Sequence, residues 1–101
     1  MATLEELRVQ LDEVDGEIVR LYEKRMGICE EVGEYKVGSG RKVFDRQRET
    51  NKLADVASKV STEFNKKGIQ ELYQQLMSMS RKLQYRKLVE AGALGRLPFI
   101  E

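Results

Sequence analysis

"TLEELRVQLDEVDGEIVRLYEKRMGICEEVGEYK", Thr3 to Lys36, is the stretch that decides the fold. Thr3 followed by Glu6 has the spacing of a capping box, in which each side chain bonds the other's backbone N–H and starts a helix. From there Leu4, Leu7, Leu11, Val14, Ile18, Leu21, Arg25, Ile28, Val32 and Tyr35 recur at alternating steps of three and four. That is a heptad-like seam along one helix face. It runs until the breaker cluster Gly38-Ser39-Gly40. The spacing therefore predicts a helix over residues 4–37, about 50 Å long at 1.5 Å rise per residue. A compact chain of 101 residues has a radius of gyration near ~13 Å. Such a helix overhangs the monomer, and its seam calls for a second chain to cover it.

The rest of the chain reads as two more helices. The loop Gly38 to Val43 is glycine-rich and basic. Asp45 suits the N-cap of a second helix, with Glu49, Leu53, Val56 and Val60 on one face. Ser61 to Lys67 is polar and predicts a turn. Ile69, Leu72, Tyr73, Leu76, Met79, Ser80, Leu83 and Leu88 mark the inner side of a third helix, and Gly92 suits its C-terminal cap. No strand pattern, repeat or low-complexity segment interrupts this. The expected fold is all-α, with three helices per subunit, one of them very long. A second copy with its first helix antiparallel would cover the seam and make a homodimer. The helical domain is assigned to residues 1–91. Residues 92–101 hold two glycines and the only proline, and read as an irregular tail or the start of a linker.

Composition narrows the chemistry. The formal net charge is +1 although 35% of residues are charged, so no whole-protein attraction to nucleic acid or membrane is expected. No apolar run approaches a membrane span, and the N-terminus lacks a signal-peptide pattern. The single cysteine, Cys29, has no internal disulfide partner, and a cytoplasmic protein is expected. It reads as a small core residue. Histidine is absent, which removes the commonest general base and the commonest metal ligand. Any chemistry here must do without them.

Each helix carries polar residues where apolar ones belong. Arg25 lies on the seam, with Arg8 and Lys36 on its edge; Glu49 lies on the second helix's apolar face beside Arg48; Ser80 and Gln84 sit one turn apart among leucines. Each has an ordinary reading when taken alone. Arg25 could snorkel to water, Glu49 could pair with a cation of the first helix, and Ser80 is small enough for a core. Buried polar groups are costly unless paired, so three such faces together point to a polar pocket within a helical bundle. Arg8, Arg25, Lys36 and Arg48 against Glu49 leave surplus positive charge, which suits a small anion such as a dicarboxylate. Arg25 and Lys36 stand about 16 Å apart along the axis, close enough for long side chains to bracket a small ligand. Arg8 is about 25 Å from Arg25 and reaches that ligand only from an antiparallel partner.

In combination "LRVQLDEVDGEIVRLYEKRMGICEEVGEYK", "VFDRQRE" and "SRKLQ" closely resemble the all-helical chorismate mutases, over about Leu4 to Gln84. The resemblance implies an intertwined homodimer that rearranges chorismate to prephenate, without a cofactor, on the route to phenylalanine and tyrosine. It also implies the site. Arg8 from the partner chain and Arg25 would clamp the two carboxylates. Lys36 and Gln84 would donate to the ether oxygen as its bond breaks. Glu49 would accept from the ring hydroxyl, with Asp45 shaping that end. Arg48 and Ser80 would support the substrate or neighbouring side chains. An intramolecular Claisen rearrangement needs no proton transfer, nucleophile or metal, which fits a chain without histidine. Two rivals stand beside this reading: an isochorismate pyruvate lyase on the same fold, and a helical dimerisation module without activity. Mutases of this class often precede a second aromatic-pathway enzyme, and the tail could begin the linker to one.

Overall fold

The computed structural model of the protein describes residues 1–92 and contains three helices: α1 (Leu4–Ser39), α2 (Arg46–Ser58) and α3 (Glu63–Glu90). Among the described residues there is no strand, and no helix is long and apolar enough to cross a membrane. The all-α expectation with one very long helix holds. The expected tail beyond Gly92 lies outside the described residues.

The local chemistry explains the helix ends. Thr3 Oγ1 accepts from the Glu6 N–H at 3.1 Å, and Glu6 Oε1 accepts from the Thr3 N–H at 3.1 Å. These bonds to Thr3, backbone first, hold the Glu6 carboxyl below its ordinary value. The far end of α1 lies past the predicted one, because Gly38 and Ser39 stay helical. Gly40 ends the helix at φ +72°, a left-handed conformation that glycine adopts without strain, and its N–H caps the Lys36 carbonyl at 2.9 Å. Asp45 caps α2 as expected, with Oδ1 accepting from the Arg48 N–H at 3.0 Å. The expected turn over Ser61–Lys67 is shorter. Thr62 Oγ1 accepts from the Asn65 N–H at 3.0 Å, so α3 starts at Glu63. Polar composition there marks an exposed first turn, and the cap decides the start. At the other end Gly92 adopts φ +68° just past the last helical turn.

α3 is the element on which both others pack; α1 and α2 do not pack on each other. The molecule is elongated, 60 × 25 × 19 Å with a radius of gyration of 17.3 Å. Val43, Val56, Met77 and Leu88 are buried, and among the described residues no side chain is fully sealed from solvent. Within one chain the core is therefore thin. Of the residues expected inside on α3, Ser80 and Leu88 are buried, whereas Leu72 and Met79 are half exposed; Met77 and Gln84 are buried as well.

The seam of α1 meets the rest of the chain only in its C-terminal half, where Arg25, Ile28, Val32 and Tyr35 line the cleft beside α3. Arg25, Met26, Cys29, Gly33, Lys36 and Val37 line the contact side of its C-terminal half. Leu11, Val14 and Ile18 remain 60%, 54% and 55% exposed, and every residue from 1 to 20 is open to solvent. The helix thus has two working faces. One, small and polar, closes on α3; the other is a long apolar stripe that this chain leaves uncovered.

Candidate active site

A cleft of about 480 Å³ opens where the C-terminal half of α1, the loop before α2, and the facing sides of α2 and α3 come together. That volume suits a small organic ligand. Arg25, Lys36, Asp45, Arg48, Glu49, Ser80 and Gln84 all line it. These are the expected site residues with one exception. Arg8 lies on the exposed N-terminal half of α1, seventeen positions before Arg25, and takes no part in the cleft of its own chain.

Arg25 does not snorkel away from the bundle. Its Nη1 donates to Ser80 Oγ at 2.7 Å, and the Ser80 hydroxyl donates to the Leu76 carbonyl at 2.8 Å. Its guanidinium also lies 5.6 Å from the centroid of the Tyr73 ring. Ser80 is buried, so the serine is the anchor that fixes one cation of the cleft from within. A hydrogen bond to a charged group stabilises by about 1.5–3 kcal/mol, enough to hold a long side chain in one rotamer. The Cys29 thiol joins the same cluster, 3.2 Å from Ser80 Oγ. Expected as a core residue, it is half-buried in the cleft wall, since the face of α1 that meets α3 is also the face that opens into the cleft.

Lys36 reaches across to the loop, where Nζ donates to the Val43 carbonyl at 2.8 Å. This bond ties the end of α1 to the residue that leads into α2. Glu49 pairs with Arg81 of α3, rather than with a cation of the first helix. The Arg81 guanidinium in turn lies 5.3 Å over the Phe44 ring, which Arg46 approaches to 5.8 Å from its own side. Gln84 is buried, and its Oε1 has no hydrogen-bond partner. A buried amide oxygen without a partner is expensive, and such groups in native proteins commonly mark sites of ligand binding or strain.

The cleft's charge is strongly one-sided. Arg25, Lys36, Arg41, Arg48, Lys52 and Arg81 face only Asp45 and Glu49. Cations gathered in a concave site focus the field and draw in anions. Three of them were not singled out from sequence. Lys52 was within reach, since it falls one helical turn after Arg48 and Glu49. Arg41 lay in a loop already recognised as basic. Arg81 carried no such signal, because only the crossing of α2 on α3 turns it toward Glu49.

A family model for chorismate mutase type II matches residues 7–85, most of the chain. The chain belongs to the chorismate mutase type II family. That membership indicates an isomerase acting on chorismate. No match to a curated protein reaches significance. The matched residues take in α2, the loop before it and every residue that lines the cleft. Chorismate carries two carboxylates, and the surplus of cations around the cleft is the feature such a substrate needs.

Proposed function

We propose that the cleft rearranges chorismate to prephenate in one pericyclic step, within a homodimer that has two shared sites. The observation that carries this is the convergence of Arg25, Lys36 and Gln84 from two helices on one cationic cleft. In the rearrangement the ether C–O bond breaks and a new C–C bond forms within one molecule. No atom is gained or lost. Two things accelerate it: confinement of the folded conformer, and donors aimed at the ether oxygen as negative charge grows there. Arg25, held by Ser80, grips one carboxylate; Arg8 of the partner subunit grips the other. Lys36 and the Gln84 amide nitrogen donate to the ether oxygen. Glu49 accepts from the ring hydroxyl at the end that Asp45 and Arg48 border.

The uncovered stripe on α1 supports the dimer. An apolar row of this length on a protein's surface marks an interaction site. An antiparallel copy of α1 covers it and brings the partner's Arg8 toward Arg25. Residues 1–91 then form the catalytic domain, in a cytosolic enzyme that serves phenylalanine and tyrosine synthesis.

The test is a chorismate turnover assay on mixed dimers. Arg8→Ala and Arg25→Ala each inactivate their own homodimer. Co-refolded in equal amounts, they form heterodimers with one intact site of two, and about a quarter of wild-type turnover returns. No recovery would overturn the shared site. Pyruvate release in place of prephenate would identify a lyase instead.

A further inference from the structure

We propose that Gly33 is a positioning residue, which sets where the Gln84 amide stands in the cleft through direct contact between α1 and α3. The proposal rests on the reading of Gln84 as a donor to the ether oxygen. Gly33 is the only buried residue of α1. Among the glycines described, it alone has neighbours where a Cβ would stand: Gln84 Cα at 3.3 Å, Gln84 Cγ at 3.4 Å and Lys87 Cβ at 3.5 Å. Gly16, Gly27 and Gly68 face open space there. The first distance is tighter than ordinary side-chain contacts and the second lies at their limit, so a methyl group forces a few tenths of an ångström of movement. Both atoms it meets belong to the same residue. Cα moves only if the α3 backbone moves. Cγ moves with that backbone or by rotation about the side chain's first torsion, and either displaces the amide at its far end.

No hydrogen bond holds Gln84 Oε1. Steric contact therefore carries the positioning that a bonding partner provides elsewhere, as Ser80 does for Arg25. Donors to a developing charge act only at close, aligned range, and a misplacement of about 1 Å can cost as much as 100-fold in rate. A shift of a few tenths is thus expected to cost about tenfold. Fold stability runs the other way, since alanine is the better helix former and the packed contact is only slightly too close.

Gly33→Ala is predicted to lower kcat about tenfold with KM changed less than about twofold, while helix content stays and Tm holds or rises. Gly68→Ala, which makes the same exchange in open space, retains wild-type kcat. The double variant with Gln84→Ala decides the route: if Gly33 acts through Gln84, adding Gly33→Ala to Gln84→Ala costs nothing further. Wild-type kcat in Gly33→Ala beside an impaired Gln84→Ala overturns the proposal alone. Wild-type kcat in Gln84→Ala overturns the reading of the site beneath it. Additive losses, or a Gly33→Ala protein that unfolds or loses more than about 5 °C in Tm, also overturn the proposal, because the glycine then serves packing only.

Discussion

Lys36→Met separates chemistry from architecture more cleanly than any other single change. Methionine keeps most of the unbranched stem of lysine and removes the ammonium. Two consequences follow, and they differ in size. The first is structural: Nζ bonds the Val43 carbonyl at 2.8 Å, and Val43 is 4% exposed, so the variant strips a buried acceptor of this donor. That costs about 1–3 kcal/mol of stability, set against a total of about 5–15 kcal/mol for a typical fold. The protein stays folded. The second is catalytic. A preorganised donor to a developing oxyanion is worth about 100- to 1000-fold in kcat. Lys36 and Gln84 share that task in the proposed mechanism, so kcat should fall by at least about 100-fold. Circular dichroism and sedimentation should report an unchanged helical dimer, and chorismate consumption should report the loss. A kcat within about threefold of wild type, in a folded dimer, would refute the assignment of Lys36 to the ether oxygen.

Further outcomes follow from the same geometry. Ser80→Ala frees the Arg25 guanidinium, so KM for chorismate should rise about tenfold, as expected for loss of a charged hydrogen bond that pre-sets a binding group. Arg81→Met leaves Glu49, whose side chain is 22% exposed, without its ion-pair partner; kcat/KM should fall about tenfold with helix content intact. Ile18→Glu places a charge on the uncovered stripe, more than one helical turn from any residue of the cleft. Sedimentation should show a monomer, and turnover should disappear with the dimer. Loss of activity from a persistent dimer would argue against this stripe as the interface.

Much of this protein was legible in its sequence because long helices announce themselves by period. The Thr3–Glu6 box and the seam from Leu4 to Tyr35 depend only on neighbours three and four residues apart. A reader can count those without knowing any tertiary contact. The same holds for Asp45 as a cap. The polar residues of the cleft were legible for a related reason: arginine at position 25 and glutamate at position 49 break an otherwise apolar period. What failed were features that periodicity does not encode. The start of α3 depended on one hydroxyl at Thr62 rather than on a change of pattern. Leu72 and Met79 fell on the outward side because the angle at which α3 meets its neighbours is set by packing.

The sequence alone determined that the chain is helical, that its first helix overhangs a compact chain of this length, and that cations occupy its apolar faces. The tertiary structure decided which groups meet. It left the N-terminal half of the α1 seam uncovered and closed the helix on α3 through a face where Gly33 allows close approach to Gln84. It also paired Glu49 with Arg81 and tied Arg25 to Ser80, 55 residues away in the chain. Local spacing fixes the faces of a helix, since it is a property of one element's geometry. Contacts between helices depend on crossing angles and on close packing of side chains from distant positions, and those exist only once the chain has folded.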